Sequence, residues 1–369
     1  MYVRASNLQK ILLFIVVLAV SILSSLPRSY YAVIEGDRFS AGEEKVINSL
    51  YICTNGKEYF VLDGINGSLL FSSFNCTEAV NKALSLCGNG ASITFKAGSY
   101  PCSFKVGKKL FISGEGKSST VIYGTIIFES KLVNETPCSH HSVLKDLRLD
   151  GQNKFRVGIK YESPIPSVPL ITIRDVDIEN YLEKGICFIN ASDCIFENVV
   201  VANCPTAIYY TTNHNFGRII NCELLNYRVQ GLYTDAQIYL SGTVFSAIKT
   251  PPTIADLVLD NAFGTIIGCW FENAAENPPA PCIDMPNTCY RPLVITGCFF
   301  ANKGGPIIIV RNKFGVSIIG NFFTQQDNPG RGCCLQLLEG TVYWKGNKLD
   351  PAFQDTLELF EIIGGTIIS

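Results

Sequence analysis

Versions of one short stretch, IIGCWFEN at Ile266 to Asn273, recur down about two hundred residues of this chain, and few architectures can accommodate that. The copies align on Asp146, Asp175, Asn198, Asn221, Gly242, Gly268, Gly297, Gly320 and Gly346, spaced 29, 23, 23, 21, 26, 29, 23 and 26 residues apart. A period of roughly 20 to 30 residues is the signature of a solenoid. Within each copy apolar residues alternate with a period of two, so the unit is built of strands. One position after the anchor stand Leu147, Val176, Val199, Cys222, Thr243, Cys269, Cys298, Asn321 and Asn347. Three after it stand Leu149, Ile178, Val201, Leu224, Phe245, Phe271, Phe300, Phe323 and Leu349, apolar in every copy and expected to stack inward, coil upon coil.

The anchors themselves are Asp, Asn or Gly throughout, the residues of tight turns. Five positions on come Asn180, Asn203, Asn226, Asn273 and Asn302, with Gln325 in the next copy, Ala247 as an interruption, and Gly151 and Pro351 at the two ends. A buried turn amide repeated at each rung hydrogen-bonds its neighbours above and below and satisfies backbone that would otherwise be orphaned. The expectation is an all-β chain, a right-handed parallel β-helix solenoid of nine to eleven coils. A leucine-rich repeat would need spaced leucines and a helical half, and both are missing.

With 369 residues, 47% of them hydrophobic, and a formal net charge of −2, the chain has material for a large core and no electrostatic case for nucleic acid. Its 15 cysteines are an odd number, so at least one thiol stays unpaired or pairs between chains of a homo-oligomer. The first ten residues carry Arg4 and Lys10 and no acid, and Ile11 to Leu26 is uninterrupted by charge. That is an export signal, cleaved after Ala19-Val20-Ser21 or retained as a membrane anchor, and in either case the body lies outside the cell. The sequons at Asn66, Asn75, Asn134 and Asn190 fit an exported protein. Cys269 and Cys298 share a column on adjacent coils, where strand spacing is within disulfide range; buried thiols as core filler fit equally well.

In chain order, residues 27 to 75 form a small β-rich preamble, with a hairpin at Asn55-Gly56 and a second turn at Asp63-Gly64. Thr77 then N-caps an amphipathic helix with Ala79, Val80, Ala83, Leu84 and Leu86 apolar and Gly88 as its stop, the expected lid on the open top of the β-helix. The β-helix is expected over residues 76 to 350, with the apolar tail after it as a lower cap. A second strand in each coil is read at Gly185 to Ile189, Ala207 to Tyr210, Gly231 to Tyr233, Leu257 to Leu259, Cys282 to Met285, Pro306 to Val310 and Cys333 to Leu337. Proline-rich excursions at Asn153 to Leu170 and Asn273 to Pro292 are the long loops where binding usually happens.

The helix Ala79 to Leu86, the strand Ile93 to Phe95, the turn Ala97-Gly98-Ser99-Tyr100, Ile112-Ser113-Gly114-Glu115-Gly116 and Thr120-Val121-Ile122 together resemble the opening of the pectate-lyase-like superfamily. LKDLRLDGQN, Leu144 to Asn153, is similar to that family's next element. The resemblance, over roughly Thr77 to Asp350, implies the fold of polysaccharide lyases, polygalacturonase-like enzymes and phage tailspikes. The fold hosts many activities. The N-T-D, D-D, G-H-G and R-I-K motifs of polygalacturonases and the W-I-D-H and R-x-P-x-x-R signatures of pectate lyases are missing, with Arg218-Ile219-Ile220 and Tyr233-Thr234-Asp235 only echoes.

Outward positions alternate with the inward columns. Two after the anchor they are Arg148, Asp177, Val200, Glu223, Val244, Trp270, Phe299, Phe322 and Lys348; four after it they include Asp150, Glu179, Ser246, Glu272, Ala301, Thr324 and Asp350. Asp150, Asp177 and Glu179 are candidate catalytic carboxylates, as acid and base for glycoside hydrolysis, or a calcium site, with Arg148 a candidate lyase base. The same residues also make a solvated face with an Arg148 to Asp177 cross-strand pair. Trp270, Phe299 and Phe322 are candidate substrate-binding rings for a glycan, or are covered by a loop or another protomer. Cys138, His140 and His141 form one loop cluster that suggests a metal. The expected function is an extracytoplasmic protein that binds, and as a lyase or glycoside hydrolase would cleave, a polysaccharide. The alternative is a non-catalytic structural or adhesive protein that uses the same faces for protein contacts.

Overall fold

The computed structural model describes residues 47–133, 136–212, 216–247, 252–273, 280–302, 305–325, 332–350 and 357–369. The expected export segment, the sequon at Asn134 and His214 lie outside the described residues. Among the described residues no helix is long and apolar enough to cross a membrane.

All nine anchors are left-handed, with φ between 51° and 65°. A left-handed residue costs an L side chain roughly 1–2 kcal/mol, least for Asn and Asp, and none for glycine. At Gly268 and Gly320 no atom lies within 4 Å of where a Cβ would stand, so glycine is there for its φ and not for room. Each such residue bends the strand without breaking the ladder: the amides of Asn198, Asn221, Gly242 and Gly268 donate to Ile220, Ser241, Ile267 and Thr296 of the next rung.

The bend divides what reads in sequence as one strand between two sheets, so each coil has three sheets, where the sequence pattern indicates two strands per coil. The first sheet holds the residues before the anchor, such as Cys194–Glu197, Phe216–Ile220, Gln237–Ser241 and Phe263–Ile267. The second holds those after it, such as Val200–Ala202, Glu223–Leu225, Val244–Ser246 and Trp270–Asn273. The third holds Lys184–Ala191, Thr206–Tyr210, Gln230–Thr234 and Ala255–Leu259. All neighbouring strands within these sheets are parallel. In the second sheet Gly98–Tyr100 and Thr120–Ile122 stack above the nine anchored strands.

The stretch before the helix joins the solenoid directly, because Ile47–Thr54 pairs in parallel with Cys87–Phe95. Its hairpins are as expected: Ile47–Thr54 pairs antiparallel with Tyr59–Asp63 across Asn55-Gly56, and the latter with Leu69–Ser73. The helix is Cys76–Leu86, and its N-cap is Asn75, not Thr77; the Asn75 side chain accepts the amides of Thr77 and Glu78. Gly88 is not its stop, since strand begins at Cys87. Cys76, Ala79, Val80 and Ala83 face the core. The expected excursion after Asn153 is mostly the strand Val157–Ser167 of the third sheet. Residues 274–279 of the second excursion lie outside the described residues. The tail is a further rung: Leu357–Ile362 and Thr366–Ile368 each pair in parallel with Gly332–Lys345.

The interior is the predicted pair of columns. Phe245, Phe271, Phe300 and Phe323 stack face to face at 4.7 to 5.0 Å; below them Trp344, from before the next anchor and outside the predicted column, stacks on Phe323 at 5.2 Å. The column one after the anchor does different work in the lower rungs. The thiols of Cys222, Cys269 and Cys298 donate to the carbonyls of Phe196, Leu240 and Ile266 on the rung before. The amides of Asn321 and Asn347 do the same to Ile295 and Ile318. Each acceptor lies two residues before its own anchor, and the inward side chain of the next rung supplies the donor there. Cys269 and Cys298 are not joined by a disulfide and are free thiols.

The asparagine ladder is present but lies on the rim. Asn226 donates to Asn203 at 3.3 Å, Asn203 to Asn180 at 3.2 Å and Asn180 to Asp150 at 3.1 Å, yet these side chains are exposed or half-buried. They do not rescue orphaned backbone, because their own amides already bond the next rung at Ala202, Leu225 and Ser246. The side chains of Asn273, Asn302 and Gln325 lie outside the described residues.

Candidate functional site

The upper outward face gathers the candidate carboxylates but pairs them differently from expectation. Backbone register sets Arg148 beside Asp177 and Asp150 beside Glu179. The Arg148 guanidinium nevertheless lies 3.4 Å from Glu179, while Asp177 is taken by Lys117 at 2.8 Å. Lys117 belongs to the turn before Thr120–Ile122 and outcompetes Arg148 because it reaches down over the second sheet; its ammonium also donates to the Asn198 carbonyl. Asp150 accepts from the Asn180 side chain and the Gln152 amide. Burial holds Glu179 above the usual carboxylate range, helped by Asp150 and Asp177 and opposed by Arg148. The three carboxylates therefore all have partners, and no group of three acidic, histidine or cysteine donors in metal-binding range occurs among the described residues, for calcium here or for Cys138, His140 and His141.

On the lower face, register aligns Trp270, Phe299 and Phe322 on consecutive rungs, and their rings stack at 4.0 and 5.5 Å. Trp270 is 44% exposed, and the two phenylalanines are half-buried. Because the rungs lie one above another, the rings spend most of their faces on each other and present edges to solvent. At Trp270 the stack ends, with Val244 on the rung above. The alternation fails at Ser246, Ala301 and Thr324, which are buried. They are small residues; Ala301 and Thr324 share a strand face with Phe299 and Phe322. Across the bare glycine bends, Ile267, Ile319 and Tyr343 of the first sheet are exposed, with Thr296 between the two isoleucines and Lys345 after Ile319 in the same column.

Features outside these predictions complete the surface. Tyr209 and Tyr233 stack at 4.7 Å on the third sheet, with the Lys184 ammonium 4.5 Å from the Tyr209 ring centroid. Both tyrosines follow the inward Ile208 and Leu232, so the same alternation could have found them. Inside the solenoid, Asp256 is fully buried and bonded by the Tyr227 hydroxyl; burial lifts its carboxyl to about 7. No periodic signal marks it, since its column is Gly185, Ala207 and Gly231 on the rungs above.

A family model described as a right-handed β-helix region matches residues 166–323. No curated protein matches the chain. Among solved structures, the Azotobacter vinelandii mannuronan C-5 epimerase AlgE4 A-module is 14% identical with a TM-score of 0.55, over 78% of this chain and 93% of that one. A GH87 α-1,3-glucanase catalytic domain in complex with tetrasaccharides is 11% identical with a TM-score of 0.52, over 90% and 70%. Tailspike protein 2 of an Escherichia coli O157:H7 bacteriophage is 13% identical with a TM-score of 0.51, over 79% and 40%. The chain spans 59% of the Geobacillus virus E2 ORF18 protein and 64% of the Agl-KA catalytic domain. At these identities the likeness is one of fold.

Proposed function

We propose that this parallel β-helix binds a polysaccharide laid along its lower outward face. The observation that carries this is the Trp270, Phe299 and Phe322 stack, three rings in register beside glycine bends that leave the backbone bare. A chain lying parallel to the solenoid axis would meet a ring edge at every rung and the free face of Trp270 at the end of the stack. The neighbours in complex with sugars support the reading by fold. In this proposal the segment Ile11 to Leu26 exports or anchors the protein, so that the face is extracellular, and the helix Cys76–Leu86 seals the upper end of the core. The proposal is binding; the ion-paired Asp177 and Glu179 offer nothing in favour of cleavage.

The test is retention of the purified protein on a panel of immobilised acidic and neutral polysaccharides, with Trp270→Ala beside it. Loss of one stacking contact of about 1.4 kcal/mol weakens binding about tenfold. Equal retention of wild type and variant on every polysaccharide would sink the reading. A second reading, a structural or adhesive surface, draws on Ile267, Ile319 and Tyr343, whose exposure beside the stack suits a protein partner or a second copy. Concentration-dependent self-association abolished by Tyr343→Ser, with no glycan retained, would favour it.

A further inference from the structure

Between the upper rungs and the segment that follows Thr136 lies a cavity of about 460 Å³, lined by Asn89, Lys108, Lys109, Thr136, His140 and His141 among others. None of its lining residues is acidic. The His140 and His141 rings meet edge to face with centroids 4.0 Å apart, and His141 is held there by a left-handed backbone with φ 60°. The Lys108 ammonium is fixed on the Cys87 carbonyl at 2.8 Å, and that of Lys109 sits 5.8 Å from the Phe111 ring centroid. The Cys138 thiol donates to the Glu129 carbonyl and is kept protonated by burial. The Glu129 carboxylate lies over Gly107 at the rim, close enough to crowd any Cβ placed there.

We propose that this cavity binds a small oxyanion: a sulfate, phosphate or carboxylate head group. Two lysines and two histidines line it and no acid does, with one carboxylate, Glu129, at its edge, so its basic side chains outnumber the acidic ones. Burial lowers both histidines, His140 to about 4, with His141 and then Lys109 adding to it at His140 and Lys109 at His141. An arriving anion reverses the balance and favours protonated imidazole, so binding and proton uptake are linked. Affinity rises on acidification by up to about tenfold per pH unit for each proton taken up. This inference stands apart from the aromatic stack.

The probe is inorganic sulfate, which does not titrate in the range, measured by calorimetry at pH 7.5, 6.0 and 5.0 with ionic strength held by chloride. Imidazole resonances are followed by NMR with and without sulfate. The expected result is at least threefold tighter binding at pH 5.0 than at 7.5 and upward displacement of the His140 and His141 midpoints by sulfate. Lys109→Gln should weaken binding several-fold, and His140→Gln should flatten the pH dependence. Absence of sulfate binding, or binding that ignores both pH and Lys109→Gln, overturns the proposal. A sulfated oligosaccharide that competes with sulfate while its unsulfated form does not identifies a polymer-borne head group; failure of both to compete identifies a free anion as the ligand.

Discussion

Replacing Asp256 by Asn is the most searching perturbation of the interior. The side chain occupies a column where the rungs above carry Gly185, Ala207 and Gly231, and it is enclosed completely. The carboxylate accepts from the Tyr227 hydroxyl and lies against the Cys282 thiol. Its pKa rises from 3.8 to about 7, chiefly through burial, while the Tyr227 and Cys282 bonds pull the other way. A carboxyl raised on folding holds its proton more tightly in the native state, so the unfolded chain binds fewer protons and stability falls as pH rises. The stabilising contribution is complete below about pH 3.8 and lost by the time pH passes about 7. Single-site linkage gives a penalty of roughly 2 kcal/mol at pH 5 and roughly 4 kcal/mol at pH 8, a difference of roughly 2 to 3 kcal/mol. Asparagine keeps an acceptor for Tyr227 and cannot ionise. Urea unfolding of both proteins at pH 5.0, 6.5 and 8.0 should therefore show Asp256→Asn gaining on wild type by roughly 2 to 3 kcal/mol across the range. Stability curves that run parallel within about 0.5 kcal/mol would refute the reasoning, because other titrating groups are common to both proteins.

Other outcomes follow from the columns. Phe300→Ala removes a ring stacked between two others and should cost about 3–5 kcal/mol in unfolding free energy, whereas Phe299→Ala, on the outward face, should cost much less. At the left-handed anchor Gly268, Asn should be tolerated within about 1 kcal/mol and Val should cost more than about 2 kcal/mol, a contrast that thermal unfolding resolves. Glu179→Gln breaks a half-exposed pair with Arg148 and should change stability by less than about 1 kcal/mol; reducing-end and unsaturated-product assays on polysaccharides should be the same for wild type and for Asp177→Asn.

Period and alternation made the fold readable because both are statements about backbone geometry. Leu149, Ile178, Val201 and the phenylalanines below them had to face one way, and the Asp, Asn or Gly before them had to turn the chain. What alternation cannot convey is the angle of that turn. The unit around Asp146 reads as one strand whether or not a left-handed residue divides it between two sheets, so the division into first and second sheets is not legible in the sequence. The candidate site failed at a similar point. Register correctly set Arg148 beside Asp177, but long side chains choose partners by reach, and Lys117 arrives from a turn 60 residues away in sequence from Asp177. Asp256 had no signal at all, since a carboxyl among Ala255 and Leu257 reads as an outward residue of an ordinary strand. The aromatic stack was legible as three residues in register, whereas the loss of ring faces to one another followed only from the vertical alignment of rungs.

The left-handed bend has a consequence for how such a chain can change. It fixes about five residues on either side of itself, while the distance to the next bend ranges from 21 to 29 residues. Length is absorbed at the other corners of the coil, so a rung behaves as a cassette whose clamp is separate from its slack. Within the cassette the outward position two after the anchor is never buried. A solenoid of this kind can thus rewrite its exterior one coil at a time, ionic at one end and aromatic at the other, over a core that registers none of the edits.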